Sequence, residues 1–158
     1  MTRKKLIKIA VSVFLPILII AFGALSAFAS PEVLPADIVS SKDGLITVRT
    51  PESSSGSTTN RKQTISAVAS PGTVVTVYRF DPGTGCYHKI WVDDTALEAS
   101  VGSSWLFATQ VDLLPGTNQF LIRGAWDEDT YSVARFEVNL LNDGFMERVK
   151  GVISVFFN

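Results

Sequence analysis

Through the middle of the chain, apolar and polar residues alternate in short runs separated by proline–glycine pairs. From Gln63 to Ser70, Ile65, Ala67 and Ala69 alternate with Thr64, Ser66 and Val68, which predicts a strand with one buried face. Pro71-Gly72 follows, and then Thr73 to Phe80 with Val75 and Val77 on one face. Proline presets φ and glycine takes positive φ, so strand, Pro-Gly, strand predicts a hairpin. Asp81-Pro82-Gly83-Thr84-Gly85 is a second turn, leading into a strand over 86–92. Trp105, Phe107, Thr109, Val111 and Leu113 then alternate with Leu106, Ala108, Gln110 and Asp112. After a turn at Pro115-Gly116-Thr117-Asn118, Phe120, Ile122 and Gly124 are expected to face inward, with Leu121 and Arg123 outside. The acidic loop Asp127-Glu128-Asp129 leads to a last strand in which Phe136, Val138 and Leu140 alternate with Arg135, Glu137 and Asn139. An earlier strand over Gly44 to Thr50 ends at Pro51.

These runs predict an all-β domain over residues 44–141, an antiparallel β-sandwich of about seven strands. Three stretches fall outside the alternation. Residues 30–43, with Pro31 and Pro35, read as a linker. The polar run Ser53 to Asn60 reads as a loop, and the polar connection after Val92 predicts a helical turn over Thr95 to Ala99. At the C-terminus the period changes. In residues 142–158, Phe145, Val149, Val152 and Phe156 fall at helical spacing behind a capping Asn142-Asp143. That tail predicts a short amphipathic helix, which either packs on an open end of the sandwich or makes contact with a partner or a membrane.

The N-terminus alters the setting of the whole domain. Arg3, Lys4, Lys5 and Lys8 precede an apolar run from Ile9 to Leu25, and small residues stand at Ala27 and Ala29. A basic start, an apolar stretch and an A-x-A site are the parts of a secretory signal. Residues 1–29 are read as a signal peptide cleaved after Ala29 or as an uncleaved anchor helix. Either places the domain outside the cytoplasm, secreted or membrane-anchored. Loss of the four cations takes the formal net charge from −1 to −5, which argues against a nucleic-acid partner. The single cysteine, Cys86, excludes an internal disulfide, so the exported domain stands on its core.

Candidate chemistry is sparse. The one histidine, His88, lies two residues from Cys86, so the two share a strand face. No carboxylate is placed by the sequence to complete a nucleophilic triad, and no catalytic residue, metal ligand set or cofactor site is assigned. Asp127-Glu128-Asp129, with Asp93-Asp94, offers oxygens for calcium, but three consecutive acids cannot all point inward. The aromatic residues Tyr78, Tyr87 and Trp91 are the candidate ligand-binding residues, as flat rings that could stack on sugars; core packing is the competing role.

The stretch from Thr64 to Val77, with Ser70-Pro71-Gly72-Thr73 at its centre, resembles bacterial immunoglobulin-like domains of the glucodextranase domain-B type. Trp105-Leu106-Phe107, Leu113 to Asn118 and Phe120 to Ala125 resemble the later strands and turn of that family. Departures are Ala67, where the family commonly has glycine, and an enlarged segment from Asp81 to Ser104. The resemblance covers about residues 44–141. It implies an immunoglobulin-like sandwich and a non-catalytic interaction or adhesion module binding an envelope protein or glycan. The alternative it implies is a carbohydrate-binding accessory domain of a glycan-processing system.

Overall fold

A computed structural model describes residues 29–141, together with Gly144. The apolar N-terminal segment and the C-terminal tail, with Ala27 of the expected cleavage site and the expected amphipathic helix, lie outside the described residues. Within 29–141 the fold is all-β, a β-sandwich of two main sheets and a small ribbon.

The first sheet contains β1 (Val33–Pro35), β3 (Ser55–Thr58), β5 (Val74–Asp81), β6 (Cys86–Lys89), β9 (Glu98–Ser100), β11 (Gly116–Ala125) and β12 (Tyr131–Leu140). Its order is β1-β6-β5-β11-β12-β3, and β9 continues the β5 edge beyond β6. The second sheet is β10-β4-β2, built from β2 (Ile46–Thr50), β4 (Lys62–Ala69) and β10 (Leu106–Asp112). A two-stranded ribbon joins β7 (Trp91–Val92) to β8 (Thr95–Ala96).

Between the main sheets lies the principal core. Ile65 and Ala69 from β4 and Phe107 and Val111 from β10 meet Val75, Val77, Phe120, Ile122, Phe136 and Val138 across the gap. The alternation read from the sequence holds in β4, where Ile65, Ala67 and Ala69 are buried. Phe120 and Phe136 stack with ring centroids 5.3 Å apart.

Of the three proline–glycine pairs, Pro82-Gly83 turns the β5–β6 hairpin within the first sheet, whereas Pro71-Gly72 and Pro115-Gly116 turn the chain without forming a hairpin within one sheet. Ser70 to Thr73 closes with Thr73 N–H donating to Ser70 O at 3.1 Å, and Gly72 has φ +87°. Its flanking strands, β4 and β5, nonetheless belong to opposite sheets. At the second corner β10 passes to β11 in the same way, with Gly116 at φ +86°. The side chain of Asn118 organises this corner. It accepts from Leu114 N–H at 2.8 Å and donates to Leu114 O at 2.7 Å. The local signal for a tight turn is correct, but it carries no information about which sheet the departing strand joins.

Three further stretches differ from the sequence reading. The expected loop over Ser53 to Asn60 contains β3, which pairs in parallel with β12. The expected helical turn near Thr95 is strand, because Asp93 and Asp94 both take positive φ (47° and 60°) and close the β7–β8 ribbon. The largest difference concerns the expected linker. Residues 30–42 form a strap across the outer face of the first sheet. It pairs along β6 through β1, and Ser41 N–H and Lys42 N–H both reach Tyr131 O at 3.0 Å on β12.

Under the strap, Leu34 packs with Tyr78, Tyr87 and Leu121 in a second cluster that Ile38 adjoins. Leu121 and Arg123, expected to face solvent, are therefore buried along with Tyr78. The strap is the reason: a strand covered on both faces loses the polar side that alternation normally shows.

Two outcomes test this packing. A Cβ at Gly124 would lie 2.0 Å from Ile46 Cγ2. Gly124→Ala should therefore destabilise the domain by about 1–3 kcal/mol through overpacking, with part of the loss recovered in the Gly124→Ala/Ile46→Ala double variant, as read by denaturant unfolding. Leu34→Ala should cost about 2–4 kcal/mol, whereas a dispensable linker would tolerate it without measurable loss.

Candidate surface groove

The first sheet is wider than the second, and the residues at its β5–β6 margin face a space that the three-stranded sheet leaves open. Val75 and Val77 enter the principal core, so period-2 alternation puts Arg79 and Asp81 on the same face. Their Cα partners on β6 are His88 and Cys86. Together with Pro82, Trp91 and Leu114, Arg79, Asp81 and His88 line an open groove of about 400 Å³.

Each wall has a distinct origin. The tight turn after Asp81 holds one side: Asp81 Oδ1 accepts from Gly83 N–H at 2.9 Å, and Thr84 Oγ1 donates to Asp81 Oδ2 at 3.0 Å. His88 Nε2 meets the same Thr84 Oγ1 at 2.9 Å. With the Thr84 proton directed at Asp81, the imidazole is the donor to Thr84. The groups are joined in the order His88–Thr84–Asp81, which staples the turn.

Arg79 forms the floor. One terminal nitrogen donates to Asp112 O, and the guanidinium lies 5.4 Å from the Phe120 ring centroid. Burial lowers the Arg79 pKa from its ordinary value, opposed by the nearby Asp112 charge. Its Nε is buried without a hydrogen-bond partner. Trp91 forms the opposite wall, 53% exposed, with Nε1 donating to Glu32 Oε2 at 3.2 Å.

Of the three aromatic residues singled out from the sequence, only Trp91 presents a ring to solvent. Tyr78 is fully buried and its hydroxyl donates to Pro31 O at 2.9 Å. Burial, the largest influence, pushes its pKa up to about 12. Tyr78 is therefore a core residue and not a stacking platform. Tyr87 is also buried, edge-on to Phe80 at 5.3 Å. It borders a separate depression of about 260 Å³ with Gln119, Arg135 and Glu137. Tyr87 and Trp91 thus do not share one surface. Trp105, which alternation groups with Phe107 and Val111, is 52% exposed at φ +60°.

Asp127 Oδ1 accepts from Asp129 N–H and Thr130 N–H at 3.0 and 2.6 Å, so part of the acidic loop's oxygen set closes its own turn. Among the described residues no group of three or more His, Cys, Asp or Glu side chains is arranged to hold a metal ion. Cys86 is a free, half-buried thiol. Sequence reasoning did not single out Arg79 or Leu114. Arg79 carried a usable signal, since it occupies an apolar-face position of β5 two residues after Val77. Leu114 carried none, because its exposure depends on how the β10–β11 corner is seated. Comparison with family models, curated proteins and solved structures finds no match for this chain.

Three carboxylates have folded-state pKa values below their ordinary ones. In Asp81 the Gly83 N–H is the largest cause, in Asp127 the Thr130 N–H, and in Glu32 the hydrogen bond from Lys89. A depressed folded pKa means that the unfolded chain binds more protons over the window. Stability should thus rise with pH through the acid range and be lost as pH falls below about 4.5. Thermal unfolding followed from pH 2.5 to 6 checks this, and Asp81→Asn together with Asp127→Asn should flatten the acid limb.

Proposed function

We propose that this chain is an exported, non-catalytic immunoglobulin-like interaction module, and that the groove at Trp91 binds an envelope glycan. The observation that carries the ligand class is the half-exposed Trp91 ring facing a groove floored by Arg79 and edged by His88 and Asp81. An aromatic face suits the apolar face of a sugar ring, and charged or polar groups beside it suit hydroxyl or carboxylate substituents.

The strand order supports the immunoglobulin-like reading. β2, β4 and β10 stand as strands A, B and E of one sheet, and β5, β11 and β12 as C, F and G of the other. The Pro71-Gly72 and Pro115-Gly116 corners fall at the B–C and E–F crossings, where the resemblance places its turn motifs. In place of strand D beside β10, the enlarged segment extends the opposite sheet with β6 and β9. It also supplies Trp91, so the departure from the family pattern is what builds the groove. Export rests on the N-terminal signal pattern, and the excess of acidic groups fits an extracytoplasmic surface without a nucleic-acid partner.

A protein ligand is the second reading, favoured by Trp105 and Leu106, adjacent apolar residues each about half exposed. Retention on insoluble peptidoglycan, chitin and cellulose, together with a glycan array, separates the two. The glycan reading expects retention of the wild-type protein and at least a tenfold loss for Trp91→Ala at unchanged melting temperature. Equal retention of the wild type and Trp91→Ala, or no retention of either, sinks it.

A further inference from the structure

The first residue built into the fold is the residue that signal cleavage would leave at the N-terminus. Ser30 is 3% exposed, and nearly every polar group it carries has a side-chain partner. Its backbone nitrogen donates to Glu98 Oε2 at 3.1 Å. Its carbonyl accepts from Lys89 Nζ at 2.6 Å. Its hydroxyl is hydrogen-bonded to Thr76 Oγ1 at 2.7 Å, donating to it because the Thr76 proton goes to Glu98, and lies 3.5 Å from Arg123. At the following residue, Pro31 O accepts from the Tyr78 hydroxyl.

Glu98 thus sets a charged acceptor, which also takes the Thr76 hydroxyl at 2.9 Å, at the one backbone nitrogen that cleavage after Ala29 would free. The cations around Glu98 are shared between it and other acceptors. Lys89 Nζ lies closer to Glu32 Oε1 (2.9 Å) than to Glu98 Oε2 (3.6 Å). Arg123 donates to Asp127 O and Glu128 O and lies 4.6 Å from the Tyr131 ring. Glu98, whose side chain is about 20% exposed, places Oε2 at the Ser30 nitrogen and the Thr76 hydroxyl, with Lys89 Nζ 3.6 Å away as a cation it shares with Glu32.

We propose that Glu98 is a built-in receptor for the α-ammonium of Ser30, so that cleavage after Ala29 converts a hydrogen bond into a buried ion pair and locks the strap onto the sheet. The proposal rests on the export reading above and extends it to what processing does to the folded domain. Hydrolysis of the Ala29–Ser30 peptide bond by water releases the Ala29 carboxylate with the signal segment. The amide nitrogen becomes an amine that is protonated near neutral pH. A charge-assisted hydrogen bond then replaces a neutral donor at the same acceptor. Capture of an N-terminal amine by a pre-formed acceptor is an established recognition mode. It also completes the domain only once the chain has been released.

The experiment crosses processing with Glu98. The full-length gene is expressed in an exporting bacterial host, the intact mass of the exported protein is measured, and its melting is followed from pH 7 to 9.5. The unprocessed chain is held by Ala27→Arg, and all proteins are melted in the same detergent. The groups facing the amine are Glu98, Glu32, Lys89, Arg123 and Tyr78. Among the amine and these facing groups, the amine alone has an ordinary pKa within this range. Pairing raises its folded pKa, so the added stability is full below the unfolded value near 8 and is lost as pH rises through the folded one.

The expected result is a mature chain beginning at Ser30. Glu98→Gln, which keeps an acceptor oxygen, should lower its melting temperature at pH 7 by about 3–5 °C and remove the alkaline slope. The same substitution should move the unprocessed chain by much less. Equal shifts in the processed and unprocessed proteins, with Ser30 confirmed as the terminus, overturn the ion pair and leave the export reading standing. A mature mass that begins at another residue, or no cleavage at all, overturns the cleavage step and the pair with it.

Discussion

Lys89 has a side chain that is only 3% exposed, and its ammonium is satisfied by Ser30 O and the Glu32 carboxylate, both on the strap. That contact fixes the strap to β6, and the strap in turn closes the outer face of the first sheet. Without it Leu34, Tyr78 and Leu121 would face water, and the Arg123 guanidinium would lose one of its neighbours. Burying a cation is costly unless it is paired and hydrogen-bonded. The cluster meets that condition by drawing on the strap's backbone carbonyls as well as on carboxylates. The sheet's two-sided burial therefore depends on residues that precede the first strand of the sandwich proper.

The second constraint is the close approach of the sheets where Ile46 meets Gly124, a contact that leaves no room for a Cβ. Pro71-Gly72 sends the chain between the sheets at the same end, and Pro115-Gly116 does so at the other end through the Asn118 side chain. With three strands facing a wider sheet, the β5–β6 margin remains uncovered. The groove is the consequence of this mismatch, and the enlarged segment furnishes its Trp91 wall. Fold and candidate site thus share one cause: the extra strands were added to one sheet only.

Much of the β architecture was legible from the residues. The alternation in β4 and β12 identified buried faces because each of those strands has one dry and one wetter side. The Pro-Gly pairs marked corners because their dihedral preferences are local. Trp91 was legible as a candidate contact because a tryptophan in a polar, enlarged segment has little core to enter. Arg79 and Leu114 were not, and Tyr78 takes the core role that competed with ligand contact. A tyrosine's burial depends on what lies across the sheet from it, and here that is the strap.

The sequence by itself determined the strand class, the turn positions and the inward sets such as Ile65, Ala67 and Ala69, since each depends on neighbours within a few positions. Only the tertiary structure decided that both Pro-Gly corners cross between sheets and that residues 30–42 cover the domain rather than tether it. It also brought Ser30 to Glu98 and Arg79 to Trp91. Those pairings join residues far apart in the chain. Period and propensity specify which face a side chain takes, but which surface meets that face follows from how all the apolar faces can be buried at once.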